Sequence, residues 1–499
     1  MTQEPVAPAR GGVPAHEIHL AKDLSAFTLF AVAFGFVSIA TGIFTAYGSV
    51  LASSGPLAIW TWPIVVVGQL AVAMVFGALA ARIPITGYAY QWVSRLANPI
   101  LGWIMGWVSF MFLGVVVVAV DYTIASTILP VLFDYTGTAT NAWLITAIVM
   151  ILQAALVALS THATHKVNNT AVLIQLTGMI ALVVLLFAVG FWTGKFDPST
   201  LFSKGHIPSD GYFDLGGLTQ ASPWAMGFLL GAFTIVGFES AANLAEETRD
   251  PANVVPKAMR RAVITLGVLG FLFLVAVTGL AGDPVALAGS ATPIADVIQG
   301  VLGSFVGKLL LVLVVISIFS CGLVITLSGS RLVWAMSRDE RFPGWKLWRQ
   351  ISGRKTPLNA TIFILAVGQI ILAVFSFSTD ALFALFSAAT LLPAIIYAST
   401  VLLYLVKRKQ LPPSRGFKLG KWETPVLAVS VVWLVWELLI FRDASFRDSW
   451  IYVLVMLAIG GVYFAGLLRR KGREGLTMPD MVSIDAELDA LDNVKAAEA

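Results

Sequence analysis

Two acidic residues stand where an acid is costly. Glu239 lies in the run Gly237-Phe238-Glu239-Ser240 and Asp121 in Val118-Ala119-Val120-Asp121-Tyr122, both inside stretches apolar enough to lie within a membrane. A carboxylate in such a place must be neutral or paired. Ionisable residues there mark sites that handle protons, ions or charged solutes. Glu239 is therefore a candidate proton-coupling group, with a structural hydrogen bond to nearby backbone as the alternative. Asp121 is a candidate contact for a substrate cation, with a neighbouring hydroxyl as its alternative partner. Glu437, five residues before Arg442, is expected to snorkel or pair at the outer boundary. Other chemistry is sparse. His162 and His165 have no carboxylate or cysteine beside them, too little for a metal. Cys321 is the single cysteine, which excludes an internal disulfide framework and a zinc-ribbon or iron–sulfur site. With no nucleophile elbow and no paired carboxylates, neither an enzyme nor a cofactor is expected.

The elements that position these residues follow from composition. The 499 residues are 58% apolar and 12% charged, against roughly 45–50% and about 25% in soluble domains. Lipid is the solvent this implies, and a net charge of +4 gives no reason to expect a nucleic-acid partner. A span needs about 20 apolar residues. Twelve runs qualify, near 27–51, 57–81, 99–130, 142–160, 169–193, 221–245, 259–282, 305–335, 358–378, 381–406, 423–441 and 449–468. Backbone groups in lipid must bond within the segment, so these runs predict helices. The short alternating segments of a membrane barrel are not visible. The expected fold class is an all-α polytopic membrane protein of about twelve transmembrane helices.

Charge placement orients the chain. With the N-terminus inside and every run spanning, all but five of the 32 Lys and Arg fall on the inner side; the five are Lys195, Lys204, Lys308, Arg442 and Arg447. The excess of inner positive charge predicts a multi-pass plasma-membrane protein with both ends cytoplasmic. No cleavable signal pattern is visible, so the first span is expected to act as its own insertion signal. The short tails and lone cysteine fit a bacterial inner membrane. The divisions read from these runs are a cytoplasmic tail (1–26), five spans (27–193), an extracellular loop (194–220), five spans (221–406), two further spans (407–468) and a cytoplasmic tail (469–499).

Two spans carry small and polar residues near mid-depth. Span 1 contains Ser38-Ile39-Ala40-Thr41-Gly42, and span 6 contains Gly231-Ala232-Phe233-Thr234-Ile235-Val236-Gly237. Interruptions at corresponding positions five spans apart point to inverted repeats with a site at the membrane midplane. A half-helix N-terminus after Gly42 would favour a carboxylate, and a half-helix C-terminus a cation. Close packing of small residues is the other reading of the same pattern.

Longer motifs narrow the reading. Gly237-Phe238-Glu239-Ser240-Ala241-Ala242-Asn243-Leu244-Ala245-Glu246-Glu247-Thr248-Arg249-Asp250-Pro251 is followed by Val255-Pro256-Lys257-Ala258. Gly329-Ser330-Arg331-Leu332-Val333-Trp334-Ala335-Met336-Ser337-Arg338-Asp339 closes span 8, and Thr356-Pro357-Leu358-Asn359-Ala360 opens span 9. With Pro84-Ile85-Thr86-Gly87-Tyr88-Ala89-Tyr90 and Gly106-Trp107, these blocks occur in order over about residues 25–470. The chain resembles the amino acid–polyamine–organocation superfamily, most closely its amino acid/choline transporter branch. The resemblance implies two inverted five-helix repeats, helices 1–5 and 6–10, plus two extra helices, with helices 1 and 6 interrupted. It implies a substrate held between spans 1 and 6, flanked by spans 3, 8 and 10. Ser38, Ile39, Ala40, Thr41 and Gly42 would hold its polar head, Phe233 would cover it, and Val236 and Gly237 would line the pocket. Ala40 stands where glycine is frequent, and Ile325 at a gate position that is aromatic in some relatives. Arg331, Glu246, Glu247 and Arg249, all on the cytoplasmic side, are candidates for an inner gate.

The expected function is a secondary carrier of an amino acid or small organic amine, working by alternating access and driven by protons, with Na+ as the other ion. Choline, γ-aminobutyrate or a polyamine are the alternative cargoes. A ligand-sensing receptor without net flux is the alternative of another class. A monomer or homodimer is expected.

Overall fold

The computed structural model describes residues 24–472, apart from 291, 354–355, 376–378 and 412; of residues 375–386 it describes the backbone only where a helix is assigned. The expected terminal tails, 1–26 and 469–499, lie almost wholly outside the described residues, as do the last residues of the ninth run.

The described chain is helical throughout, with one isolated backbone bridge, between Leu24 and Thr248. Among the described residues eleven helices are long and apolar enough to cross a membrane, and the ninth run is the shorter apolar helix Leu358–Phe375. The starts of several spans follow from local chemistry. The side chains of Ser25, Thr138 and Ser160 each accept a bond from the backbone amide three residues on, which satisfies one donor that the first helical turn leaves open. Proline opens the spans at Pro99, Pro223 and Pro251, where its missing N–H is no loss.

Burial separates core spans from lipid-facing ones. The most apolar window is 89% buried in span 1, 94% in span 3 and 83% in span 6, but only 22–39% in spans 4, 5, 11 and 12. Side chains such as Leu152, Val184, Val432 and Val462 point outward, as helices bathed in hydrocarbon require. Spans 1, 3 and 6 are thus enclosed, and they are the spans that carry Glu239, Asp121 and both interruptions.

Span 1 is broken at one residue. Helices Ala26–Val37 and Ile39–Ser54 meet at Ser38, whose φ of 24° and ψ of 102° are not helical. The unwound stretch expected over Ser38–Gly42 is therefore confined to Ser38. Its Oγ accepts from the Thr41 amide at 3.3 Å and from the Thr41 hydroxyl at 2.8 Å, so the second half restarts at once. Span 6 is broken more widely. Helix Leu229–Thr234 ends at Ile235, Gly237 takes φ 89°, and a tight 3-10 run continues over Phe238–Glu247.

The loop after span 5 packs over the C-terminal end of span 1. Tyr212 donates to the Ser54 carbonyl at 2.7 Å, and the Leu57 amide donates to the Ser203 carbonyl at 2.9 Å. Pro293, opening the short helix Pro293–Leu302, rests against Gly48.

Orientation can be measured with the chain's own cysteine left in place, because Cys321 is buried. Lys195 and Lys409 are both exposed, on loops that the charge pattern assigns to opposite sides. A membrane-impermeant maleimide applied to intact cells is expected to label Lys195→Cys and to leave Lys409→Cys untouched until the membrane is permeabilised. The reverse pattern would invert the topology.

Candidate functional site

A small cavity lies where the two interruptions meet. Span 1 contributes Phe36, Val37, Thr41 and Gly42, span 6 contributes Phe233, Thr234 and Val236, and spans 3, 8 and 10 close it. Its volume is about 20 Å³, on a scale where one water occupies about 10–15 Å³. The wall is mostly hydrocarbon, with Phe112, Val116 and Val120 on span 3 and Ile325 on span 8. Among the described residues its polar side chains are Thr41, Thr234 and Cys321, and no charged side chain lines it. The Cys321 thiol donates to the carbonyl of Phe36 at 3.0 Å, meeting one backbone acceptor just ahead of the break.

The two broken spans interlock sterically. A Cβ on Gly42 would collide with the Thr234 side chain. A Cβ on Gly237 would fall within the Phe36 ring, and its positive φ disfavours any side chain. Both glycines are therefore set by close approach across the site.

The span 6 break is held from another span. Tyr397, on helix Thr379–Lys407, accepts a hydrogen bond from the Gly237 amide at 2.9 Å and donates one to Glu239 Oε2 at 2.6 Å. One hydroxyl thus serves a backbone donor freed by the break and the nearby buried acid. The span 1 break is held by Ser38, whose Oγ shares a bond with Ser317 Oγ at 3.1 Å and accepts a long one from Gln175 Nε2 at 3.4 Å.

Of the substrate residues expected from sequence, Thr41, Gly42, Phe233 and Val236 line the cavity, and Gly237 adjoins it through Phe36. Ser38 and Ala40 are turned toward spans 5 and 8, where Ala40, Gln175 and Ser317 border a second, smaller void. Ile39 is fully buried and outside the lining. Asp121 also lies outside it, accepting from Gln153 Nε2 at 2.8 Å. Glu437 is buried at 1% exposure and is not paired with Arg442, which donates instead to the Gly217 and Leu439 carbonyls. Its helix turns the residue inward, against the expectation of an outer-boundary position.

Several lining residues were not legible as such. Phe112, Val116 and Val120 recur every four residues on one face of span 3, a spacing available in the sequence but hidden in a valine-rich run. Tyr397 carries no local signal, because its role depends on a contact between spans 6 and 10.

Where spans 6 and 8 end, Glu247 and Arg331 form a buried ion pair, Nε to Oε1 3.1 Å, with side chains 2% and 0% exposed. Glu246 pairs with Arg338 at 3.1 Å and accepts from the Thr86 amide at 3.1 Å. Tyr90 and Gln91 both donate to Asp339. Arg249 is exposed just beyond span 6. These bonds tie the ends of spans 6 and 8 to the segment after span 2.

A family model described as amino acid permease matches residues 24–462. An amino-acid permease of Arabidopsis thaliana is 25% identical, over 83% of this chain and 84% of the plant protein. A branched-chain amino acid permease of Lactococcus lactis is 25% identical, over 87% and 92% of the two chains. A choline transporter of Saccharomyces cerevisiae is 24% identical, over 93% and 84%.

Two substitutions test how the site is held. Tyr397→Phe removes the acceptor of the buried Gly237 amide, an expected loss of about 1–3 kcal/mol, visible as a lower melting temperature of the purified protein. Glu247→Leu leaves Arg331 buried without its counter-charge, an expected loss of about 3–5 kcal/mol in the same measurement. A wild-type melting curve for either would remove the corresponding role.

Proposed function

We propose, from the premise that this chain belongs to the amino acid permease family, that it carries a neutral amino acid across the plasma membrane by alternating access. Family membership makes it a multi-pass transporter rather than an enzyme. The finer reading is carried by one observation, an uncharged cavity at the junction of two broken helices. The Thr41 and Thr234 hydroxyls beside the two breaks offer polar contacts to the ammonium and carboxylate, while Phe112, Val116, Val120 and Ile325 offer an apolar seat to a side chain. A wall without charge leaves a lysine- or polyamine-like second charge unmatched.

The cavity is smaller than an amino acid. Binding therefore requires spans 1 and 6 to part from spans 3 and 8, which is the motion alternating access needs. The units proposed to move are spans 1 and 6, one from each of the repeats 27–193 and 221–406, with the remaining spans as scaffold. The Glu247–Arg331 and Glu246–Arg338 pairs, with Arg249 beside them, support an inner gate, since they join spans that must separate for release. Glu239 supports proton coupling, being a buried acid bonded to a neutral hydroxyl with no cation as its partner. Both termini are placed on the cytoplasmic side by the charge pattern, with a bacterial inner membrane the setting that fits.

A second cargo has one observation in its favour. Phe36, Phe112 and Phe233 all face the cavity, and aromatic faces attract quaternary ammonium groups. A choline-like amine is therefore the alternative.

Counterflow in proteoliposomes separates the two. Labelled branched or aromatic neutral amino acids are expected to exchange, and Gly42→Val, whose side chain would collide with Thr234 and force spans 1 and 6 apart, should reduce that exchange at least ~10-fold, equivalent to about 1.4 kcal/mol. Exchange of choline but of no amino acid would select the alternative, and exchange of neither class would remove the carrier reading.

A further inference from the structure

Asp121 lies behind the cavity wall, and its surroundings define its chemical state. The side chain is fully buried on span 3. Oδ1 accepts from Gln153 Nε2 on span 4 at 2.8 Å, and the same nitrogen donates its other hydrogen to the Phe319 carbonyl on span 8 at 3.1 Å. Two acceptors therefore claim that nitrogen, which fixes the orientation of the amide. The amide oxygen of Gln153 is left without a donor among the described residues, and so is Oδ2 of Asp121. Both orphans are acceptors, and both belong to two planar groups already joined by one hydrogen bond.

We propose that Asp121 is a proton-binding site, in which a proton on Oδ2 is donated to Gln153 Oε1 and closes a two-bond ring between carboxylic acid and amide. One proton satisfies both orphaned atoms, and an ionised Asp121 satisfies neither. The contact is built in: a Cβ at Gly322 would overlap Asp121 Oδ1 and Gln153 Nε2, so glycine lets span 8 close over the pair.

No basic group competes for the role. Among the described residues Asp121 has no ion pair, and Gln153 is its one hydrogen-bond partner. Span 4 and the described part of span 9 carry no titratable side chain. On span 8 the titratable neighbour is Cys321, bonded to Phe36, and the charged residues Lys308, Arg331 and Arg338 lie toward the ends of that helix. Tyr122 follows Asp121 on its own span, and Tyr397 on span 10 is committed to Glu239.

The site is coupled to the cavity through its neighbours. Val120 and Cys321 line the cavity, adjacent in sequence to Asp121 and Gly322. Parting span 8 from span 3 to admit substrate would open the Asp121–Gln153 pair to water and let the proton leave. The coupling rests on the carrier reading above; the proton site itself does not.

Asp121→Asn is the informative variant, because its amide replaces the O–H donor and closes the same ring without a titratable proton. Infrared difference spectra of the purified protein, taken between neutral and alkaline pH, are expected to show a protonated-carboxyl stretch in the wild type that Asp121→Asn loses in part. In proteoliposomes the same variant should lose proton-gradient-driven accumulation ~10-fold relative to its own counterflow. Gln153→Leu, which removes the ring's other half, should shift the pH at which the carboxyl band disappears. An identical carboxyl band in wild type and Asp121→Asn would overturn the site. A lost band with unchanged gradient-driven accumulation would overturn the coupling alone. Absence of counterflow in the wild type would count against the carrier reading and leave the infrared result standing.

Discussion

Backbone in a membrane interior has no water to bond with, so every break in a helix needs a substitute partner for the groups it frees. This chain meets that requirement in two different ways. In span 1 the substitute is local: Ser38 caps the half-helix that begins at the next residue. In span 6 it is distant: the Gly237 amide is met by Tyr397, more than a hundred residues on. The distant bond holds span 6 to span 10, so span 6 cannot rotate without breaking it or carrying span 10 along. Span 1 is tied to span 8 as well, where Ser38 meets Ser317 and the Phe36 carbonyl meets Cys321. Both halves of the site are therefore tethered to other spans, span 6 through a backbone amide and span 1 through a side-chain cap and a carbonyl.

Close packing adds a second restraint. Gly42 lies against Thr234, and Gly237 against the ring of Phe36. Each broken span presents a glycine to the other, which is how two helices with non-helical joints approach closely enough to share one small cavity. The apolar wall from span 3 completes the enclosure. Within it the Thr41 and Thr234 hydroxyls, the Cys321 thiol and backbone are the polar groups available, so a solute held there as proposed would be distinguished by shape and by those few contacts.

Much of this was legible in the sequence, and the remainder divides by physical cause. Run length and charge bias marked the spans, because hydrocarbon thickness acts on every helix alike; the ninth, whose run reaches the undescribed residues 376–378, is the short one. Gly237 marked the span 6 break because only a residue without a Cβ sits easily at that φ. The span 1 break was placed correctly but drawn too long: small residues permit unwinding without requiring it, and a serine cap was enough to restart the helix. Glu437 was misplaced because sequence distance to Arg442 says nothing about which face of the helix turns inward. Tyr397, Gln153 and the span 3 valines act only through partners on other spans, and no pattern within their own segments distinguishes them.

The buried ion pair where spans 6 and 8 end follows a different logic from the hydrogen bonds at mid-depth. Glu247 and Arg331 are both withdrawn from water, and removing two charges from water offsets much of their mutual attraction. Such a pair adds little net stability to the closed state, yet a single unpaired member is strongly unfavourable there. In the proposed opening, water would return to both charges together and the cost of withdrawing them would be recovered as their attraction is lost. A hydrophobic plug of similar size would favour closure outright. A desolvated pair instead leaves closure weakly favoured, so a solute in the proposed site between spans 1 and 6 could tip it.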